Sequence, residues 1–291
     1  MENNLEIHNL TKSYDGFTLD HVSFSLPKGA IMGLIGANGA GKSTTMKLIL
    51  DIIRRDSGEI TLFGQENTKV DLKQDVGVVF DESNFPEALT VDKIETIMRH
   101  IYRNWDSKEF NRNLRRFHLP KTKKAIKEFS RGMKMKLSLA VALSHHAKLL
   151  LLDEPTSGLD PIVRNEILDI FLEYIEDEEC SILLSSHITT DLEKIADYIT
   201  FINRGKIVLS ESKDDLIYNY GVLKGGKEDL RRMNKAGLIG LRENAYGFEA
   251  LVADKEATAR KYPNAVVDAA GLEDIMLFVV EDAKHHAEQG R

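Results

Sequence analysis

The chain has 291 residues, 42% hydrophobic and 29% charged, with 6 prolines, which excludes long disordered or collagen-like stretches and leaves room for about two domains, each able to build a core. A net charge of −7 argues against sequence-independent nucleic-acid binding, which needs a surplus of Lys and Arg facing phosphates. A single cysteine, Cys180, excludes a disulfide framework and a thiolate metal cage.

No basic start or apolar leader opens the chain, so a reducing, cytosolic setting is expected. β-prone runs at 5–10 and 17–26 point to strands, and the first sixty residues look like antiparallel ribbons. A third run at 30–35 precedes a Gly-rich turn and a helix expected over 43–53, with further strands at 58–63 and 76–80. Residues 85–146 read as nearly all helical, chiefly over 91–119 and 130–144, and form a lobe inserted into a sheet domain. Strands at 149–152, 181–186, 198–202 and 206–209 then alternate with helices at 161–176 and 189–196, the pattern of βαβ units in a largely parallel sheet. The expected class is α/β, with a first domain over 1–210 and short βα pieces over 211–291 forming a small α+β accessory domain. The longest apolar run, 275–280, falls far short of the roughly 18 residues that span a bilayer, so work at a membrane requires a separate membrane partner.

The strongest chemical signal is Gly36-Ala37-Asn38-Gly39-Ala40-Gly41-Lys42-Ser43, a phosphate cradle standing between a strand and a helix as its chemistry requires. Successive backbone N–H groups converge on phosphate, the helix N-terminus adds partial positive charge, Lys42 reaches the outer phosphate oxygens, and the Ser43 hydroxyl offers a ligand to Mg²⁺. A second signal is the run Leu149-Leu150-Leu151-Leu152-Asp153-Glu154, a buried strand discharging two carboxylates where ligands sit in parallel sheets. Asp153 is placed to hold Mg²⁺, and Glu154 to polarise a water attacking the γ-phosphate.

These two elements fit many ATPases and GTPases. Three more narrow the choice: Phe129-Ser130-Arg131-Gly132-Met133, Ser157-Gly158-Leu159-Asp160, and His187 closing the next strand. In this order and spacing residues 3–210 resemble the ATP-binding cassette (ABC) family. The resemblance implies a P-loop ATPase fold and a head-to-tail dimer, with a second copy or a sibling ATPase, in which each ATP lies between one P-loop and the other chain's signature helix. It implies that Gly36 to Thr44 bind nucleotide with Tyr14 stacking on adenine, that Ser130 and Gly132 touch the partner-held γ-phosphate, that Asp160 sits at the dimer seam, and that His187 contacts the γ-phosphate and attacking water.

Two departures stand out. The family carries Gln after the strand corresponding to 76–80, where it ligates Mg²⁺ and senses the membrane partner; this chain has Asp81. The signature has Arg131 where Gly is usual and Met133 where Gln is usual, and Arg131 is expected to offset the Asp81 charge. Within the family, Val79-Phe80-Asp81-Glu82 and the Ser130–Lys134 wording resemble the ATPases of the bacitracin-resistance and phenol-soluble-modulin exporters. That likeness implies an ABC-2-type membrane permease as partner, amphipathic or antimicrobial-type peptides as cargo, and a peripheral position on the inner membrane face. The competing readings are a soluble cassette ATPase, opposed by the lack of a second cassette or a long coiled coil, and a non-hydrolysing clamp, opposed by Glu154 and His187.

Between Lys108 and Lys136 eleven Lys or Arg stand against Glu109 and Glu128, an excess of 9 that leaves the rest of the chain at −16. Beside a solvated helical face, this suggests contact with anionic lipid or a permease segment, with Lys121, Lys123, Lys124 and Lys127 as candidates. His145-His146 lacks partners at ligand spacing, and His285-His286 lies near a polar terminus, so neither pair is expected to bind metal. Cys180, Met133 and Met135 are expected to pack.

Overall fold

The computed structural model describes residues 2–81, 85–121 and 124–289, with side chains through Ala283. Glu82, Lys123 and the side chains of His285-His286 lie outside them.

β1 (Asn3–Tyr14) and β2 (Phe17–Pro27) form an antiparallel ribbon closed at Asp15-Gly16, where Gly16 takes φ 78 and Tyr14 lies opposite Phe17. Leu5, Ile7 and Leu10 on one strand and Leu19, Val22 and Leu26 on the other are fully buried. A register shift between Ile7 and Leu10, with Asn9 at φ 48, keeps the apolar residues on one face despite their odd spacing. The chain then crosses to a second sheet as β3 (Ile31–Ile35), enters α1 (Lys42–Ile49), and returns to the ribbon as β4 (Ser57–Leu62) and β5 (Gln65–Glu66). The ribbon sheet runs β2-β1-β4-β5.

β6 (Val76–Val79) follows in the second sheet, before the helical lobe. The single helix expected over 91–119 is two: α2 (Val91–Ile101) and α3 (Ser107–Arg116). Tyr102 leaves α2 in an extended conformation, and the Asp106 carboxylate accepts the Lys108 and Glu109 N–H groups at 2.7 and 3.1 Å. This cap offers the backbone a better start than continuation, and it holds the Asp106 carboxyl below the usual range. α4 (Arg131–Ala142) is capped by Ser130 and buries Leu137, Leu139, Ala140 and Val141.

β7 (Leu149–Asp153), α5 (Pro161–Tyr174), β8 (Ser181–Ser186), α6 (Thr189–Ile195), β9 (Tyr198–Asn203) and β10 (Lys206–Ser212) complete the main sheet, in order β10-β9-β3-β8-β7-β6. All pairs are parallel except β9 with β10. β3, β7 and β8 are buried along their whole length, which is why they read as unbroken apolar runs with no alternation.

α7 (Lys213–Asn219) buries Leu216 in a core that holds residues of both the main sheet and the segment after it. The accessory unit holds β11 (Gly221–Gly226), α8 (Lys227–Arg232), β12 (Ile239–Glu243), β13 (Gly247–Val252), α9 (Lys255–Lys261), β14 (Val266–Ala269) and α10 (Leu272–Gln289). Its sheet is antiparallel, in order β12-β13-β11-β14. Leu272, Ile275, Phe278 and Val279 of α10 share one core with Leu192 and Ile195 of α6, and the Leu272 N–H donates to the Glu193 carboxylate at 2.9 Å. No helix among the described residues is long and apolar enough to cross a membrane.

Candidate active site

Parallel pairing brings the ends of β3, β6, β7 and β8 together. Ile35 lies opposite Ser186, Leu152 opposite Val79, and Asp153 opposite Ser185. The residues that follow these strands, Gly36, Asp81, Glu154 and His187, therefore emerge along one edge, the position where open α/β sheets bind ligands.

The loop from Gly36 to Gly41 is built around backbone room. An added Cβ at Gly36 meets the Ile202 carbonyl at 2.4 Å, and Gly41 sits at φ 117 with Leu19, Ile202 and Phe17 within about 3 Å of any Cβ. Gly41 is also the N-cap of α1, and no side chain caps that helix. Its first N–H groups are thus left to a ligand. Ala37, Asn38, Gly39, Gly41, Lys42, Ser43 and Thr44 line a cavity of about 690 Å³, with Asp81, Asp153 and Glu154 across from them. Ala40 is buried behind the loop, its carbonyl accepting the Gly205 N–H at 2.9 Å.

Lys42 is buried, its ammonium 2.7 Å from the Gly36 carbonyl and 3.2 Å from Glu154 Oε1. Glu154 takes φ 51, a left-handed conformation rare for a side chain of this size, and is anchored there by its N–H to the Ser185 carbonyl and hydroxyl at 3.2 and 3.1 Å. Its Oε2 lies 2.7 Å from His187 Nδ1. Its Oε1 is buried without a well-formed hydrogen bond. Asp153, also buried, accepts the Ser185 hydroxyl at 2.5 Å.

This arrangement fits a magnesium-bound nucleoside triphosphate: open amides and a lysine for the phosphates, the Ser43 hydroxyl with the Asp153 and Asp81 carboxylates as hard oxygen donors for Mg²⁺, and a buried carboxylate oxygen, Glu154 Oε1, close only to the Lys42 ammonium. Together with the signature and histidine motifs, these groups narrow the family to one, and the comparisons with known proteins agree. Residues 19–157 match the ABC transporter family model. The lantibiotic transport ATP-binding protein SrtF of Streptococcus pyogenes is 39% identical over 218 residues, covering 72% of this chain and 91% of SrtF.

The chain belongs to the ABC transporter ATP-binding family.

A second ABC relative, the linearmycin resistance ATP-binding protein LnrL of Bacillus subtilis, is 30% identical over 291 residues, 97% of this chain and 91% of LnrL, so its likeness extends through the accessory unit. The bacitracin transport ATP-binding protein BcrA of Bacillus licheniformis is 34% identical over 203 residues, 68% of this chain and 66% of BcrA. Among solved structures, an ATP-binding subunit of an ABC transporter superposes with a TM-score of 0.67 at 28% identity, covering 73% of this chain and 91% of that one. As an ABC protein the chain binds ATP and hydrolyses it.

Other expected site residues lie apart. Ser130, Gly132 and Asp160 do not line the P-loop cavity. Ser130 and Asp160 are helix caps for α4 and α5, accepting N–H groups from Met133, and from Ile162 and Val163. Tyr14 is 45% exposed and outside the cavity, under the Lys12 ammonium; Gly16 and Phe17 provide its wall on that side. Phe17 carries no sequence signal for this position, because a Phe opening a β-strand reads as packing.

Arg131 and Asp81, the two departures, meet directly: the guanidinium donates to Asp81 Oδ1 at 2.5 Å, and it lies 3.0 Å from any Cβ placed on Gly158. The basic stretch is also more compensated than the sequence suggests. Arg116 pairs with Glu173, Lys121 with Glu95, Lys134 with Glu87 and Lys136 with Glu166, all acids from outside the stretch. Lys121 is held protonated above its ordinary range by Glu95 and Asp92 despite partial burial. His145 is structural: its ring stacks on Tyr102 at 3.8 Å, Nδ1 faces the Gln74 carbonyl at 3.1 Å, and burial lowers its pKa to about 4. Cys180 is buried, and burial pushes its thiol up.

Proposed function

We propose that this chain is the ATP-hydrolysing subunit of an exporter, closing on ATP as a dimer and driving a separate ABC-2-type permease for amphipathic or antimicrobial-type peptides. The carrying observation is the linked set of Lys42, Glu154 and His187 at the strand ends, while the Ser130–Gly132 anion site stands outside that cavity. A helix N-terminus with a hydroxyl and a glycine is suited to a phosphate brought by another chain.

In this reading Lys42 exchanges the Gly36 carbonyl for β- and γ-phosphate oxygens. Glu154 takes the proton of the attacking water, and His187, hydrogen-bonded to its carboxylate, fixes its aim. Ser43, Asp153 and Asp81 are the residues that would hold Mg²⁺, which would supply charge neutralisation to the phosphate oxygens. Phe17, at the cavity wall, joins Tyr14 as a candidate for the adenine side. Peptide cargo draws its support from the lantibiotic and bacitracin relatives, and a place on the inner membrane face follows from the permease.

Glu154→Gln tests the hydrolytic role. The expected result is a loss of ATPase rate on the order of a hundredfold or more, with a dimer that persists in MgATP by light scattering. A rate within a few-fold of wild type would leave a clamp that does not depend on hydrolysis.

A further inference from the structure

Asp191 is a buried carboxylate that does not line the P-loop cavity. It stands in the first turn of α6, 2% exposed, and its Oδ2 accepts no hydrogen bond. Opposite it on α5 lies Arg164, 26% exposed, whose Nε is buried and donates none. The two atoms are 3.9 Å apart, about 1 Å too long for the charge-assisted hydrogen bond that an Arg–carboxylate pair ordinarily makes. Buried charges this loosely satisfied are costly, and a pair kept for stability alone is replaceable by neutral groups.

The pair sits where α5 and α6 begin. The Arg164 N–H is donated to the Asp160 carbonyl at 3.0 Å, so Arg164 leaves α5 one turn after its cap. The Asp191 N–H is donated to the Ile188 carbonyl at 3.3 Å, and the Ile188 N–H to the Ser186 hydroxyl at 2.9 Å. The end of β8, His187 and the first turn of α6 are thereby tied into one short span, in which a displaced α6 displaces His187. The imidazole is half exposed, so packing does little to fix it against Glu154. α6 has only seven residues and no side-chain cap, too little to hold its place unaided. α5 is twice as long and is started by the Asp160 cap and Pro161, which makes it the firmer support.

We propose that Arg164 is a positioning residue for hydrolysis: facing Asp191, its charge anchors the start of α6 to α5 and so holds His187 at the Glu154 carboxylate. The inference rests on the hydrolytic reading of Glu154 and His187 above. A displacement on the order of 1 Å at a catalytic group is enough to cost tenfold or more in rate.

The test uses the full-length chain, with ATPase kinetics, melting curves and nitrogen-15 spectra of the histidine side chains, His187 being assigned through His187→Gln. Arg164→Met leaves Asp191 an uncompensated buried charge. It is expected to lower the melting temperature, and to lower kcat by roughly tenfold with KM for ATP within about twofold. Adding Asp191→Asn removes the stranded charge, so the melting temperature is expected to recover while kcat does not. Arg164→Lys keeps the cation and is expected to stay within about threefold of the wild-type rate. In the double variant the His187 Nδ1 signal is expected to move towards its position in Glu154→Gln, where the hydrogen-bonded carboxylate is gone. An unchanged kcat in Arg164→Met, or a Lys variant as slow as the Met one, overturns the proposal. So does a double variant in which kcat returns with the melting temperature or the His187 signal stays where it was. A Glu154→Gln chain that hydrolyses ATP at nearly the wild-type rate overturns the hydrolytic reading instead.

Discussion

The two helix N-termini proposed to bind phosphate in this chain are finished differently. α1 starts at Gly41 with no side-chain cap, and its first turn opens into a cavity with Lys42, Asp153 and Glu154 around it. α4 starts at Ser130, whose hydroxyl already accepts the Met133 N–H at 3.2 Å, and has no carboxylate in its first turn. The first is a site completed within its own chain. The second is a stable helix start whose surplus positive potential is turned outward. An uncapped start costs stability until a ligand arrives, whereas a capped one can stand unliganded in a monomer.

The contrast can be broken most severely at Gly41. Gly41→Ala forces a side chain into φ 117 against Leu19, Ile202 and Phe17, with an expected stability loss of about 1–3 kcal/mol and ATPase loss on the order of a hundredfold, read from urea unfolding and phosphate release. Next comes the rear anchorage of α4, at His145. Its pKa is lowered by burial to about 4, so below the unfolded value of about 6.5 the unfolded chain binds the extra proton. Stability from this group is present above pH 6.5 and is lost as pH falls towards 4, by about 2 kcal/mol between pH 6.5 and 5; in His145→Phe that part of the pH dependence disappears from the unfolding midpoint.

At the front of α4, Ser130→Asp separates capping from phosphate binding. Asp caps as well as Ser, so the melting temperature is expected to hold, while the added charge facing a partner's γ-phosphate lowers ATPase activity by roughly tenfold. Equal activity would place the phosphate elsewhere. The smallest effect belongs to the half-exposed Arg131–Asp81 pair. Arg131→Gly is expected to change stability by less than about 1 kcal/mol and to lower ATPase by about threefold, with Asp81→Asn recovering the loss and high salt shrinking it. An unchanged rate would show that the pair does not compensate charge at the cavity.

What the sequence revealed follows the range of the forces involved. The P-loop, the strand-end carboxylates and His187 were legible because phosphate chemistry demands particular residues at fixed spacing beside particular strands. The Arg131–Asp81 pairing could be suspected from opposite charges at two odd positions, but the contact depends on how α4 lies beside the end of β6. The break between α2 and α3 was signalled by Asp106-Ser107, yet the basic and apolar spacing on both sides masked it. Part of the cation surplus over 108–136 is offset in a way no local pattern shows, because Glu87, Glu95, Glu166 and Glu173 are set opposite it only by folding. No local pattern near α10 announces its approach to α6, because that approach is made by a core shared across two sheets.

That shared core sets a rule for dissecting the protein. Leu192 and Ile195, on the helix that follows His187, share one buried core with Leu272, Ile275 and Phe278. A cassette cut off after Asn219 would bare this greasy seam and loosen the segment that aims the histidine. With that core shared, scanning calorimetry of the whole chain is expected to register the two units melting together in one endotherm.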